Sequence, residues 1–419
     1  MLPVLLFHIF FVGLLWKIGN DPILSLGISG AFVIHCWRGR PRMEYFLTIA
    51  LAVLLRIAYQ LGIGVTSQYF GHTIVSWGSF LGIASLLVLG WRTLRAHGDL
   101  RQQPASDLLA GASFFFFWIV FDIGLALTTI LLPHTYDQYL YAFDNSLGGQ
   151  PSFLLARLIS GRPTVSGITH LVYGAITLPI AMLYASQRCR GYANGYKIFP
   201  LLIAAATGGY LLYYALPATG PAFAFAGLFP FSIPPVHLDG DVAALSHRAA
   251  RNALPSLHLG AALIVCWNSR AWPKAARAGL GLFALATVFA TLALGEHYVV
   301  DLVVAFPVML AFHAAAMTAV PLRAPERRLP ILAGLTATLA WLLLLRFGGR
   351  LYLNWPTTVP WVLAASTVAG TCFLESRLAR RVRQIAGPVQ NLASHSTPHS
   401  LAASPATFDQ KAAVASLKY

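Results

Sequence analysis

Long apolar runs alternate along this chain with short polar loops, and this alternation constrains the fold more than any other feature. Most runs approach the roughly 20 residues that a helix needs to cross a hydrocarbon core of about 30 Å. Hydrophobic residues make up 57% of the chain and charged residues 10%, and the mean hydropathy is +0.66. A soluble domain would be about half apolar and about a quarter charged, so the sequence excludes a water-soluble globule.

We predict an all-α polytopic membrane protein with about twelve transmembrane helices, six of which form a central bundle. The first apolar run lacks a basic leading segment and an obvious cleavage site, so we interpret it as a span and not as a signal peptide. The predicted spans lie near residues 2–16, 22–37, 44–63, 66–91, 107–132, 164–186, 198–216, 257–269, 276–295, 298–320, 329–345 and 357–374.

The basic residues separate into two sets of alternate loops, with 19 on one face and 7 on the other. Short cytoplasmic loops carry the excess of Lys and Arg, so we predict that both termini are cytoplasmic, in a plasma or inner membrane. We interpret the net charge of +15 as a topology signal and expect no nucleic-acid partner. The sparse set consists of Lys17, Arg157, Arg162, Arg248, Arg251, Arg346 and Arg350.

We divide the chain into four parts. Residues 1–103 hold about four N-terminal transmembrane helices, residues 104–321 form a six-helix catalytic core, and residues 322–376 hold two C-terminal transmembrane helices. Residues 377–419 form a basic and then disordered cytoplasmic tail, because their composition offers too little apolar surface to pack. The four cysteines show no CxxC spacing and no acidic cluster suits magnesium, so we expect neither a metal nor another cofactor.

Two polar segments interrupt the apolar background, at residues 251–258 and 295–301, and the charge pattern places both at the extracytoplasmic face. His297 and Asp301 are four residues apart, which stacks them on one face of a helix. The carboxylate can accept the proton of one ring nitrogen and leave the other nitrogen as a nucleophile or base. The alternative is that the pair merely marks the interfacial end of a helix.

The other segment places Ser256 two residues before His258. Ser256 is a good helix N-cap, and a helix N-terminus presents free N–H groups that suit a phosphate. The alternatives are a plain structural cap and an interfacial histidine.

Together the two segments resemble the type 2 phosphatidic acid phosphatase superfamily, whose second signature is Pro-Ser-x-His and whose third ends His-x-x-x-Asp. The matching residues are Pro255, Ser256, His258, His297 and Asp301. The resemblance implies that His297 attacks phosphorus to form a phosphohistidine, that Asp301 orients it, and that His258 protonates the leaving alkoxide.

The sequence departs from the superfamily pattern before these motifs. The first signature, a Lys followed by six residues and then Arg-Pro, is missing, and Thr291 stands where an Arg is usual. Residues 214–221 are instead similar to the Pro-x-x-Gly-Pro stretch of the inositol phosphorylceramide synthase branch, which also has the form His-Tyr-Val-x-Asp. Residues 136–144 and 150–152 are similar to a luminal segment of that branch. The resemblance covers residues 107–320 and implies that the central six-helix bundle is phosphatase-like.

A phosphate in transfer needs positive charge and hydrogen-bond donors around it. Arg251 is the nearest cationic candidate to His258 in the sequence, and Arg248 is the second. The alternatives are topological arginines and belt tyrosines at the membrane interface. The full set of predicted substrate-binding residues is Ser256, Arg251, Tyr214, Gly220, Tyr298 and Arg248.

The leading hypothesis is a lipid phosphotransferase that moves a phospho-head group, with phosphoinositol as one candidate, from a phospholipid donor to a hydroxyl acceptor. The histidine pair can act through a phosphohistidine, or His297 can deprotonate the acceptor directly. The first alternative is a phosphatase acting on phosphatidic acid or a polyprenyl diphosphate, and the second is a transporter or membrane scaffold. Membrane lipids are the expected partners in the first two cases.

Overall fold

A computed structural model describes residues 22–63, 70–190, 197–238 and 249–395. Every regular element in these ranges is helical, in agreement with the predicted all-α class. In chain order the helices are α1 (Pro22–Trp37), α2 (Arg42–Ile63), α3 (Phe70–Arg95), α4 (Gln102–Leu131), α5 (Asp137–Ser146), α6 (Pro151–Ile159), α7 (Pro163–Gly174), α8 (Thr177–Arg190), α9 (Ile198–Ala215), α10 (Pro221–Ala224), α11 (Leu257–Asn268), α12 (Lys274–Ala293), α13 (Val299–Ala316), α14 (Pro325–Phe347), α15 (Gly349–Tyr352) and α16 (Thr358–His395).

Nine segments of the described residues are helical, long and apolar enough to cross a membrane, and each coincides with a predicted span. One of them, Pro163–Cys189, joins α7 and α8. The predicted spans at 22–37 and 257–269 coincide with shorter apolar helices, and the span at 2–16 lies outside the described residues. The structure thus supports a multi-pass membrane protein, while the count of twelve stays a prediction.

Helix α13 lies at the centre of the fold, and 72% of its 18 residues are buried. It packs against α9, α11, α14, α16 and the short helix α5. One continuous hydrophobic core joins residues of α4 to α13 with Trp341 and Leu345 of α14 and Leu378 of α16. The two C-terminal helices therefore share the core of the segment that carries the histidines.

Two of the buried acidic side chains, Asp107 and Glu375, lie at the opposite end of the bundle from the histidines. Asp107 accepts a hydrogen bond of 2.5 Å from Arg40 and lies 3.4 Å from a guanidinium nitrogen of Arg188. Glu375 of α16 accepts a hydrogen bond of 2.6 Å from Arg270, which follows the last residues of α11. These arginines belong to the set that the charge pattern placed in the cytoplasm, so the basic residues and the histidines occupy opposite ends of the helices.

Candidate active site

The starts of α11 and α13 meet, and this contact brings the two histidine motifs together. The N–H of Ser256 donates to the carbonyl oxygen of Asp301 at 3.2 Å. The Ser256 side chain caps α11 by accepting a hydrogen bond of 3.4 Å from the N–H of Leu259. At about 1.5 Å per residue the 12 residues of α11 span about 18 Å, less than the roughly 30 Å of a membrane core.

His297 is buried, and its ring is fixed by the nitrogen Nδ1. This nitrogen lies 2.8 Å from the carbonyl oxygen of Ala253 and 3.4 Å from Oδ2 of Asp301. Because a carbonyl oxygen only accepts, Nδ1 carries the proton and Nε2 keeps its lone pair. Burial lowers the pKa of His297 to about 4, so its ring is neutral at pH 7. These features give His297 the state that a nucleophile or base requires.

His258 lies beside His297, with ring centroids 6.3 Å apart and planes at 64°. Its other face stacks on the ring of Tyr173, with centroids 3.9 Å apart and planes at 24°. His258 is half-buried, whereas His297 is 2% exposed. The two adjacent imidazoles thus differ in exposure: His297 is buried, and His258 is more accessible.

The short helix α5 supplies two buried carboxyl groups that hold the backbone around the histidines. Asp137 accepts hydrogen bonds from the N–H of Thr219 at 3.1 Å, the N–H of Gly220 at 2.9 Å and the hydroxyl of Tyr298 at 3.0 Å. Asp144 accepts bonds of 2.7 and 3.2 Å from the N–H groups of Val299 and Val300, which open α13. A carboxylate at this end also interacts favourably with the helix dipole.

Gly220 allows the loop before α10 to lie directly against the backbone of the nucleophile motif. Its φ is +94°, and an added Cβ would lie 2.3 Å from the carbonyl oxygen of Glu296. Nearby, the N–H groups of Glu296 and His297 both donate to the carbonyl oxygen of Thr291, at 3.1 and 3.2 Å. Thr291, which stands where an Arg is usual, therefore contributes its backbone, while its hydroxyl bonds to Val288 on its own helix.

Arg251 is fully buried and ties the segment before α11 to the end of α4. Its N–H donates to the hydroxyl of Thr128 at 2.9 Å, and Nε donates to the carbonyl oxygen of Leu132 at 2.8 Å. The nitrogen Nη2 is buried without a hydrogen-bond partner among the described residues. Arg251 thus keeps one unused donor, as a phosphate-binding residue would.

The other predicted binding residues have different surroundings. The hydroxyl of Tyr298 is already bonded to Asp137, so it has no proton to donate to a phosphate in this arrangement. Tyr214 is 43% exposed, whereas Tyr213 is 2% exposed. Successive residues on a helix point about 100° apart, so Tyr213 and not Tyr214 faces the interior. Arg248 lies outside the described residues.

No group of three or more His, Cys, Asp or Glu side chains suited to a metal ion lies within the part of the chain that the structure describes.

Residues 138–315 match the sequence model of the PAP2 superfamily. This match supports a phosphatase or phosphotransferase of the type 2 phosphatidic acid phosphatase superfamily. The matched range contains both histidines and Asp301, which the superfamily resemblance identified. The inositol phosphorylceramide synthase-like branch stays a prediction. No curated protein and no solved structure matches the chain significantly.

Sequence reasoning did not single out several residues that surround the histidine pair. Asp137 and Asp144 are acidic residues seven positions apart on one helix face, in the segment that resembles the luminal one. Ser152, whose hydroxyl donates to the carbonyl oxygen of His297 at 2.8 Å, lies in the second part of that resemblance, residues 150–152. Tyr173 carried no distinguishing signal, since it lies more than 80 residues before His258.

Proposed function

We propose that this protein is an integral-membrane phosphotransferase that moves a phospho-head group from a phospholipid donor to a hydroxyl acceptor. Phosphoinositol is the head group that the branch resemblance suggests. The observation that carries the proposal is the hydrogen bond from Nδ1 of His297 to the carbonyl oxygen of Ala253, because it leaves Nε2 with a free lone pair. Asp301, 3.4 Å from Nδ1, would stabilise the positive charge that the ring gains on attack.

The proposed transfer takes two steps. In the first, Nε2 of His297 forms a bond to phosphorus, the bond from phosphorus to the donor alkoxide breaks, and His258 gives its proton to that alkoxide. In the second, His258, now neutral, takes the proton of the acceptor hydroxyl, whose oxygen attacks phosphorus and breaks the phosphorus–nitrogen bond. In the direct route, His297 takes the acceptor proton and no phosphohistidine forms.

The distribution of positive charge favours a phosphodiester donor, and therefore transfer. Among the described residues, Arg251 is the buried arginine next to this site, with one unused donor. Arg346 is exposed, and its guanidinium lies 4.6 Å from the ring centroid of Tyr136, the residue before Asp137. A phosphodiester carries one negative charge, whereas a phosphate monoester carries nearly two at pH 7, so a site with few cations suits the diester better.

We also propose that the site faces the extracytoplasmic side, with both termini in the cytoplasm. The arginines that pair with Asp107 and Glu375 lie at the far end of the helices from His297. Since cytoplasmic loops carry the excess of basic residues, this arrangement supports that orientation.

The experiment that tests the function uses the purified full chain in lipid vesicles containing labelled phosphatidylinositol or labelled phosphatidic acid. Each vesicle is prepared with and without ceramide or diacylglycerol, and products are resolved by mass. Transfer predicts a new phospho-head-group lipid that requires both an acceptor and His297. Release of inorganic phosphate without an acceptor would favour the phosphatase, and no turnover of either lipid by the wild-type protein would return it to the transporter or scaffold class.

A further inference from the structure

The two imidazoles of the site are held in different ways. His297 is fixed by hydrogen bonding of Nδ1 to the carbonyl oxygen of Ala253. His258 is fixed by ring contacts, because one of its faces lies on the ring of Tyr173 at 3.9 Å. A general acid has to reach the leaving oxygen within hydrogen-bond distance, so whatever sets the plane of this ring also sets where its proton can go.

Tyr173 is well placed to set that plane. It lies at the end of α7, one residue before the helix ends, whereas His258 lies in the first turn of α11. The two planes differ by 24°, which is a stacked arrangement, and aromatic pairs contribute about 0.5–1.5 kcal/mol beyond the area that they bury.

Glu296 in turn restrains Tyr173. The tyrosine hydroxyl interacts electrostatically with the carboxyl group of Glu296, the residue before the nucleophile. The backbone of Glu296 is itself fixed, since its N–H donates to Thr291 and its carbonyl oxygen lies against Gly220. Burial raises the pKa of Glu296 to about 7. A chain of contacts therefore runs from the nucleophile motif through Glu296 and Tyr173 to the imidazole of His258.

We propose that Tyr173 is a positioning residue for His258 and that Glu296 positions Tyr173. The proposal rests on the proposed function, in which His258 donates the proton to the leaving alkoxide. Neither residue exchanges a proton with the substrate. Their effect is to hold the acid in the geometry in which transfer occurs, where a displacement of about 1 Å can cost about 100-fold in rate.

The test compares two phosphodiester substrates that share a lipid chain and differ in the leaving group, one an alkyl alcohol and the other p-nitrophenol. Alkoxide departure needs a proton, whereas nitrophenolate departs without one. We expect Tyr173→Leu to lower the single-turnover rate of leaving-group release about 100-fold on the alkyl ester and at most a few-fold on the nitrophenyl ester. Tyr173→Phe keeps the stacked ring and should stay within about 10-fold on both. On the alkyl ester, the rate of Glu296→Gln should lie between the rates of these two variants, and on the nitrophenyl ester it should be unchanged.

The nitrophenyl ester also reports whether each variant is folded. Where Tyr173→Leu yields too little folded protein, Tyr173→Met takes its place in the test, because methionine keeps much of the side-chain volume and has no ring. Equal losses on both substrates would overturn the inference, because they are what a merely structural role produces. An unchanged alkyl rate would overturn it as well.

Two further variants separate this inference from the proposed function. His258→Ala should reproduce the dependence on the leaving group, and His297→Ala should abolish turnover of both esters. Turnover by His297→Ala would refute the proposed function. A dependence on the leaving group in His258→Ala, together with none in Tyr173→Leu, would refute only the role of Tyr173.

Discussion

The hydroxyl of Tyr298 donates a hydrogen bond of 3.0 Å to Oδ1 of Asp137, although 161 residues separate the two in the chain. The same carboxyl group accepts hydrogen bonds from the N–H groups of Thr219 and Gly220. Asp137 therefore joins three distant segments: the short helix α5, the loop before α10, and the turn that carries the nucleophile. The position of His297 depends on this junction as much as on its own helix.

Replacing Asp137 with Ala should lower the free energy of unfolding by about 3 kcal/mol or more. The substitution leaves buried donors at Thr219, Gly220 and Tyr298 without an acceptor, each at a cost of about 1–3 kcal/mol. Denaturant unfolding in detergent micelles measures the loss. Tyr298→Phe removes one donor and should cost about 1 kcal/mol. Asp99→Asn, at an exposed residue, is the control and should change nothing measurable. If D137A lowered the free energy of unfolding no more than Y298F does, Asp137 would not join the three segments.

Replacing His297 with Ala should lower kcat about 10⁴-fold or more, because the attacking nitrogen is removed. His258→Ala should lower it about 10²- to 10⁴-fold on a natural lipid substrate, as expected for loss of a general acid. His170→Ala is the matched control, since this histidine is exposed and bonded to Ser166 within α7. Rates are measured on lipid in vesicles. Loss of activity in H170A comparable with that in H297A would show that histidine removal acts through the fold.

Replacing Gly220 with Ala should lower activity about 100-fold, because the new Cβ would force the backbone of Glu296, and with it His297, out of place. Gly161→Ala provides the control. Gly161 also has a positive φ, +72°, but an added Cβ there meets nothing within 4 Å. Both variants carry the backbone strain of about 1–2 kcal/mol, so the difference between them isolates the steric contact. Equal activity in the two variants would contradict the close packing at Gly220.

The stability of the protein should fall as the pH is lowered, because His297 is neutral in the folded state. Its folded-state pKa of about 4 lies below the ordinary value of 6.5, so the unfolded chain binds a proton more readily. Stability from this group is fully present above about pH 6.5 and is lost as pH falls towards 4. His297→Gln should show a weaker fall in Tm than the wild-type protein between pH 7 and 5. Parallel Tm profiles would mean that burial does not depress this pKa.

Labelling of cysteines on intact cells tests the predicted orientation. Cys189 is exposed at the end of α8, on the basic side, whereas Arg350 is exposed near the opposite end of the bundle. A membrane-impermeant maleimide should label Arg350→Cys in a variant that lacks the four native cysteines. In a second variant that keeps Cys189 as its one cysteine, the reagent should leave Cys189 unlabelled until the membrane is permeabilised. The reverse pattern would place both termini outside the cytoplasm.

Much of the helical architecture could be predicted because it follows from local patterns. Within the described residues, nine predicted spans coincide with long helical segments, since a span in lipid has to satisfy its own backbone hydrogen bonds. The helices α5 and α6 were not predicted. Their sequence is mixed in polarity, and tertiary contacts stabilise them as helices: α5 packs against α13 and α15, and α6 packs against α12.

The sequence by itself determined the membrane class, most helix positions and the motif residues His258, His297 and Asp301, because spans and short motifs are encoded in neighbouring residues. Only the tertiary structure decided that Ala253 fixes the tautomer of His297, that Tyr173 stacks on His258 and that Asp137 joins three segments. Each of these contacts joins residues more than 40 positions apart. Such contacts depend on which helices pack together, and the hydrophobic periodicity of a helix does not identify its partner.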